Sequence, residues 1–186
     1  MLITTSHRPS YRTRSFIKDL SSVLPGSVKS HRGKKTLLQL AFEAKAVGAK
    51  YIIVVGEKKG NPSLLRIYEV SSTSARSVEE IIKHYASIIL SGVRLSREIP
   101  DSSRAYNPQT INVDPMNCVN DECFLLSDIL LKILEPRLSP EPDITIVLEE
   151  KNGIRLKFLN RLGRLCGPVL KVSRVKIIGS RYENRS

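Results

Sequence analysis

Four cations, Arg8, Arg12, Arg14 and Lys18, stand in the opening stretch Thr4-Thr5-Ser6-His7-Arg8-Pro9-Ser10-Tyr11-Arg12-Thr13-Arg14-Ser15-Phe16-Ile17-Lys18. Arg8 and Arg12 are a helical turn apart, and Ser10 between them is a residue type that caps the first free N–H groups of a helix. Cations at a helix start oppose the helix dipole, so a negative ligand explains them better than stability does. The chemistry open to them is binding. Guanidinium and ammonium groups neutralise phosphate oxygens, and Tyr11 is the one aromatic residue among them. Further cations of the same character are Lys34 and Lys35 in the loop His31-Arg32-Gly33-Lys34-Lys35, Arg155 and Lys157 at alternate positions, and Lys171, Arg174 and Lys176 near the end of the chain.

Other chemistries find little material. Cys118, Cys123 and Cys166 are an odd number at spacings that match neither a disulfide framework nor a common zinc site, so reduced, structural cysteines are expected. His7, His31 and His84 are scattered, and neither a metal nor a cofactor is expected. Gly33-Lys34-Lys35-Thr36 resembles a phosphate-binding loop only in part: the earlier glycine is misplaced and the second lysine displaces the hydroxyl. The acidic residues form no constellation for two-metal chemistry, which counts against a processing nuclease.

The net charge of +12 and sequence pI near 9.8 favour a polyanionic partner. The charge is also segregated. Residues 1–50 carry ten bases and two acids, 151–186 ten bases and one acid, and 101–150 three bases and ten acids. Two basic ends around an acidic third quarter suit one cationic surface presented to phosphate. No run of about eighteen apolar residues could span a membrane, and the start lacks a signal-peptide pattern, so an intracellular, cytoplasmic protein without a membrane partner is expected.

The elements that must position these cations are an α/β set. The first strand is Leu2 to Thr5. A helix from Ser10 follows, with Phe16, Ile17, Leu20, Val23 and Leu24 on one face and Arg14 and Lys18 on the other. Thr36 and Gln39 form a capping-box pair for a second helix, whose apolar residues surround most of its circumference and predict a largely buried element. Tyr51 to Val55 reads as a central strand, Lys58-Lys59-Gly60-Asn61-Pro62 as a turn, and Leu64 to Val70 as the returning strand. Ser77 and Glu80 offer another capping box, a strand is expected after Gly92, and Pro100 to Asn120 reads as a long surface loop. A third helix starts near Asn120 and ends before Pro136. Asp143 to Glu150 and Ile154 to Leu159 form a hairpin through Asn152-Gly153. In the last strand, Gly167 to Ile178, the apolar phase slips, and a one-residue bulge near Ser173-Arg174 would place Lys171, Arg174 and Lys176 on one exposed side.

Thr4-Thr5-Ser6 through Arg8-Pro9-Ser10 with Arg12-Thr13 and Phe16, the turn Gly60-Asn61-Pro62, and Gly167-Pro168-Val169-Leu170-Lys171-Val172 resemble, in order and spacing, the Brix-domain family of ribosome-biogenesis factors. The likeness is greatest to its compact archaeal members. This resemblance implies a non-catalytic binder of precursor ribosomal RNA that assists processing and subunit assembly, alongside ribosomal proteins or other assembly factors. It also implies two similar subdomains, about 1–76 and 77–180, each similar to the anticodon-binding domain of class II aminoacyl-tRNA synthetases, with mixed sheets and flanking helices. The phosphate contacts expected are Arg8, Arg12, Arg14, Lys18, Lys34 and Lys35 with Arg155, Lys157, Lys171, Arg174 and Lys176, and Tyr11 among them. A tRNA-binding accessory module, a nuclease and a peripheral membrane protein are the alternatives. Replacing Arg12 and Arg14 by Glu is expected to abolish RNA retention at nearly unchanged melting temperature.

Overall fold

The run Tyr51 to Gly56 is buried throughout, and the amino-terminal half is arranged around it in the computed structural model, which describes residues 1–71, 78–136 and 139–178. This strand, β3 (Tyr51–Lys58), lies between the parallel β1 (Leu2–Thr5) and the antiparallel β4 (Asn61–Val70). The short β2 (Val28–Lys29) borders β1, and β5 (Ile82–Arg94) follows β4. Helix α1 (Tyr11–Val23) begins at its cap Ser10, whose side chain accepts the Thr13 N–H, and α2 (Leu37–Ala46) begins with the expected Thr36–Gln39 capping box. The short α3 (Val78–Ile81) leads into β5; Ser77, half of the capping box expected there, lies outside the described residues.

In the second half, β6 (Ile111–Asn117) is followed by α4 (Asp121–Leu134), β7 (Ile144–Glu150), β8 (Ile154–Asn160) and β9 (Val169–Ile177). All nine strands join one mixed sheet in the order β2-β1-β3-β4-β5-β9-β8-β7-β6. The pairings repeat. β1 and β3 are parallel with α1 between them in the chain, then β4 and β5 add antiparallel; β6 and β7 are parallel with α4 between them, then β8 and β9 add antiparallel.

Alternation along the strands assigns the two faces of the sheet. Ile3, Ile53, Leu65, Ile88, Ile146, Leu156, Leu170 and Val172 share one core with Phe16, Ile17 and Leu20 of α1 and Leu126, Ile129 and Ile133 of α4. Leu2, Ile52 and Val54 point the other way, into a smaller core under Leu40, Ala41 and Ala44 of α2. Helices α1 and α4 therefore cover one face, and α2 covers part of the other.

Several expectations need correction. Residues 100–120 are not one loop: β6 forms the far edge of the sheet, where Pro115, lacking an N–H, is tolerated. The fifth strand lies mostly before Gly92, because the outward Ile89 hides the alternation of Ala86, Ile88 and Leu90. Helix α2 is not largely buried; Phe42 on its outer side and Val47 at its C-cap are about half exposed. Cys118 and Cys123 are not reduced: they form a disulfide across the β6–α4 turn, their Cα atoms 5.4 Å apart. Cys166 alone is free, and burial pushes its thiol up to about 11.

Candidate nucleic-acid interface

The face opposite α1 and α4 carries a row of cations where β4, β5, β9 and β8 pass side by side. Arg66 lies opposite Ser87, which lies opposite Lys176; Ile89 lies opposite Arg174; Lys171 lies opposite Arg155. The expected bulge is present: the register passes from Ile89–Arg174 to Leu90–Val172, leaving out Ser173. Val172 and Val175 are thereby both buried, and Lys171, Arg174 and Lys176 are all exposed. Among the described residues Arg66, Arg155, Lys171, Arg174 and Lys176 have no carboxylate partner. Three inter-strand steps separate β4 from β8, so the patch is about 14 Å wide. Lys157, the next outward residue of β8, is held by Glu149 of β7 at 2.8 Å.

The cations of the opening stretch are on the other side. Arg14 and Lys18 project from the solvent side of α1, with the Arg14 guanidinium 5.5 Å from the ring centre of the exposed Tyr11. Arg8 is exposed in the turn before the helix at φ 52°. Arg12 faces inward instead. It forms a two-pronged ion pair with Glu98 and donates to the Val93 carbonyl at 2.8 Å. These hydrogen bonds hold the Glu98 carboxyl below its usual range, and Glu98 also receives the Leu95 N–H. Lys35 binds Glu43 of α2 at 2.7 Å, and Lys34 is exposed in the loop before it. The expectation of one platform made from both ends of the chain is therefore corrected. The sheet lies between the α1 cations and those of β8 and β9, and Arg12, Lys35 and Lys157 are each neutralised within the protein.

The inward turn of Arg12 changes the expected result of mutation. Arg12→Ala leaves Glu98 unpaired with about a third of each side chain exposed, a cost of about 1–3 kcal/mol, between that of exposed and buried pairs. Arg14→Ala, on the exposed side, costs less than about 0.5 kcal/mol. Thermal melts of the two variants check the contrast, and equal melting temperatures would show that the Arg12–Glu98 pair holds nothing in place.

Sequence reading passed over Arg66, although its place between the inward Leu65 and Ile67 marks it as outward, and it passed over Glu57. The Glu57 carboxylate accepts the Ser10 N–H at 2.9 Å, the Ser10 hydroxyl at 2.8 Å and the Thr13 hydroxyl at 2.5 Å. Burial alone would raise its pKa, but these hydrogen bonds from Thr13 and Ser10 outweigh burial and leave it lowered. Glu150, at the end of β7, accepts the Val119 and Asn120 N–H groups at 2.8 and 2.9 Å, and Asn120 caps α4. Each half thus fastens the start of its helix to a carboxylate at the end of its second long strand. In the first half, Lys59 and Gly60 turn the β3–β4 hairpin with φ of 51° and 75°, and the Gly60 carbonyl lies 2.9 Å from the Ser10 hydroxyl. The stretches Thr4–Ser10 and Gly60–Pro62, far apart in sequence, are one structural unit.

No His, Cys, Asp and Glu side chains converge in groups of three or more as metal ligands among the described residues, and no described helix is long and apolar enough to cross a membrane. No protein-family model matches the chain. It is 46% identical over 96 residues to a probable Brix domain-containing ribosomal biogenesis protein of Aeropyrum pernix, covering 52% of this chain and 50% of that protein. The match to the Thermococcus kodakarensis relative of the same description is 40% over 99 residues, 53% of this chain and 44% of the relative. With these two, the alignment spans about half or less of the relative's length. Against the Saccharolobus solfataricus relative it is 33% over 147 residues, 78% of both chains. Among solved structures, a probable ribosomal biogenesis protein from Aeropyrum pernix K1 superposes with a TM-score of 0.76 at 32% identity, over 93% of this chain and 94% of that one. Mil, an archaeal Imp4-like protein, shares the fold at a TM-score of 0.66 and 21% identity, over 95% and 99%. With a third of the aligned residues shared over 78% of both this chain and the Saccharolobus protein, and with the same fold as the Aeropyrum structure, the chain belongs to the Brix domain-containing ribosomal biogenesis proteins.

Proposed function

We propose that this protein is a non-catalytic ribosome-biogenesis factor that binds precursor ribosomal RNA through the face of its sheet opposite α1 and α4, beyond the part that α2 covers, and assists RNA processing and subunit assembly in the cytoplasm. The observation that carries the reading is the patch of five cations without a carboxylate partner among the described residues, Arg66, Arg155, Lys171, Arg174 and Lys176, on adjacent strands, where Glu149, opposite Arg155, is bound by Lys157. The names of the relatives support the ribosomal setting. An RNA helix suits a broad, shallow patch that lacks a tryptophan, because its wide minor groove and flanking phosphates are read by shape. The repeated order of strand pairing supports two related halves of the kind seen in anticodon-binding domains, with β5 closing the first, so the division falls between Arg94 and Ile111 and not at the expected residue 76. Ribosomal proteins or other assembly factors are the protein partners this reading allows.

The test is a filter-binding titration of the full chain with a structured rRNA fragment at increasing salt. Five neutralised phosphates predict a loss of about a hundred- to five-hundredfold in affinity between 50 and 200 mM monovalent salt. A salt response flatter than about tenfold contradicts the reading. Competition by tRNA equal to that by precursor rRNA would favour the accessory-module alternative, and magnesium-dependent cleavage of the fragment would favour the nuclease.

A further inference from the structure

One cavity belongs to neither set of strand cations. It is a cleft of about 670 Å³ on the helix-covered side, between α1 and the segment 96–105. Lys18 stands on one wall, Arg97 and Arg104 on the other, and Ser15, Ser22, Ser96, Ser102 and Ser103 contribute hydroxyls. Its walls are fixed. Asp19 of α1 accepts the Ser96 N–H at 2.8 Å, Arg97 donates to the Ser15 hydroxyl at 3.2 Å, and Ser103 is tied to the Leu165 carbonyl through its N–H at 2.8 Å. The volume falls within the range of small-molecule sites.

The polar groups select a ligand class. Three cations call for an anion. Yet Asp19 and Asp101 also line the cleft, and Asp101 has no ion-pair partner among the described residues. Ionised carboxylates are acceptors only and would repel a bare phosphate. A ligand that satisfies both kinds of group carries negative charge and hydroxyl donors together. Ribose phosphate does so: its phosphate meets the cations, and its 2′-hydroxyl donates to a carboxylate. Deoxyribose has no such hydroxyl to give. No aromatic ring lines the cleft, so the recognised part is the sugar and phosphate and not a stacked base. The Cys166 thiol beneath is buried and protonated, which leaves the site equipped to bind and without an activated nucleophile.

We infer that the cleft between α1 and residues 96–105 holds a ribose-phosphate unit of an unpaired RNA strand, with Lys18 and Arg104 on the phosphate and Asp101 on the 2′-hydroxyl. This deepens the RNA-binding reading, because it adds a second, single-strand site on the side of the sheet opposite the cationic patch. Fluorescence anisotropy with the full chain and two probes, a short oligoribouridylate and its deoxyuridylate counterpart, tests it. The RNA probe is expected to bind about tenfold more tightly, the worth of one well-placed hydrogen bond to a charged group. Lys18→Ala with Arg104→Ala lowers affinity for both probes about tenfold or more, and Asp101→Asn narrows the RNA preference without weakening DNA binding. Circular dichroism melts show that each variant is folded. Equal affinity for the two probes, or no loss on removing Lys18 and Arg104, overturns the assignment. A protein with Arg155→Glu and Arg174→Glu separates the two readings. It keeps the oligoribouridylate while losing the structured fragment if both hold, and wild-type binding of the oligonucleotide with no patch-dependent binding of the fragment removes the sheet-face reading alone.

Discussion

Replacing Arg155, Arg174 and Lys176 together by glutamate is expected to weaken binding of a structured rRNA fragment by about a hundredfold or more at physiological salt, about 2.7 kcal/mol. The slope of log affinity against log salt should become shallower by about three, one per phosphate contact removed. Arg174 and Lys176 are exposed and Arg155 is half-buried, and none of the three has a carboxylate partner among the described residues, so their replacement breaks no ion pair described there. The melting temperature should therefore stay close to that of the native protein. Filter binding and a thermal melt on the same preparation check both halves of the expectation. Lost RNA binding with a collapsed melting temperature would assign these residues to the fold. The contrast with Arg12 is the reason for measuring both: cations that look alike in sequence differ in whether a carboxylate already holds them.

The second large effect is expected in the core. A Cβ on Gly167 would lie 2.9 Å from Cγ1 of Val23 and 3.0 Å from Cβ of Phe158, and Gly167 is not in the left-handed region that would itself require glycine. The constraint is space. The chain entering β9 passes against the end of α1 and the centre of β8, and Val23 and Phe158 are both fully buried there. Gly167→Ala should thus cost about 1–3 kcal/mol, as overpacking does, and lower the melting temperature by several degrees in a chain of this size. Urea denaturation gives the free energy directly, and an unchanged midpoint would mean that α1 can slide to make room. Gly167 is where the carboxy-terminal strands are fitted against the amino-terminal helix.

These two positions show what the sequence makes legible. Gly167-Pro168 stood out as part of a family likeness, while its physical reason is a contact with Val23 that no local pattern reveals. The caps at Ser10, Thr36 and Asn120, the Asn152-Gly153 hairpin and the bulge at Ser173 could all be read from local chemistry, because each is decided within a few residues. Strand β6 could not. Its two inward residues, Ile111 and Val113, are followed by Pro115, and pairing with β7 beyond it in the chain makes the segment a strand. The cations of β8 and β9 were found by alternation. Their separation from Arg14 and Lys18 was not, since which face of the sheet a helix covers depends on the path of the whole chain. The partners of Arg12 and Lys157 were hidden for the same reason. Glu98 is 86 residues from Arg12, and Glu149 meets Lys157 across a strand pair.

The account rests on the sheet face opposite α1 and α4 being the surface that meets structured RNA. The most direct measurement places a photo-crosslinking amino acid at Ser173, exposed in the β9 bulge among the cations, and in a second protein at Leu131, exposed on α4 across the sheet. Irradiation with a structured precursor rRNA fragment should attach RNA at Ser173 and leave Leu131 unmodified. Attachment at Leu131 with none at Ser173 would contradict the account and move the RNA to the helix-covered side.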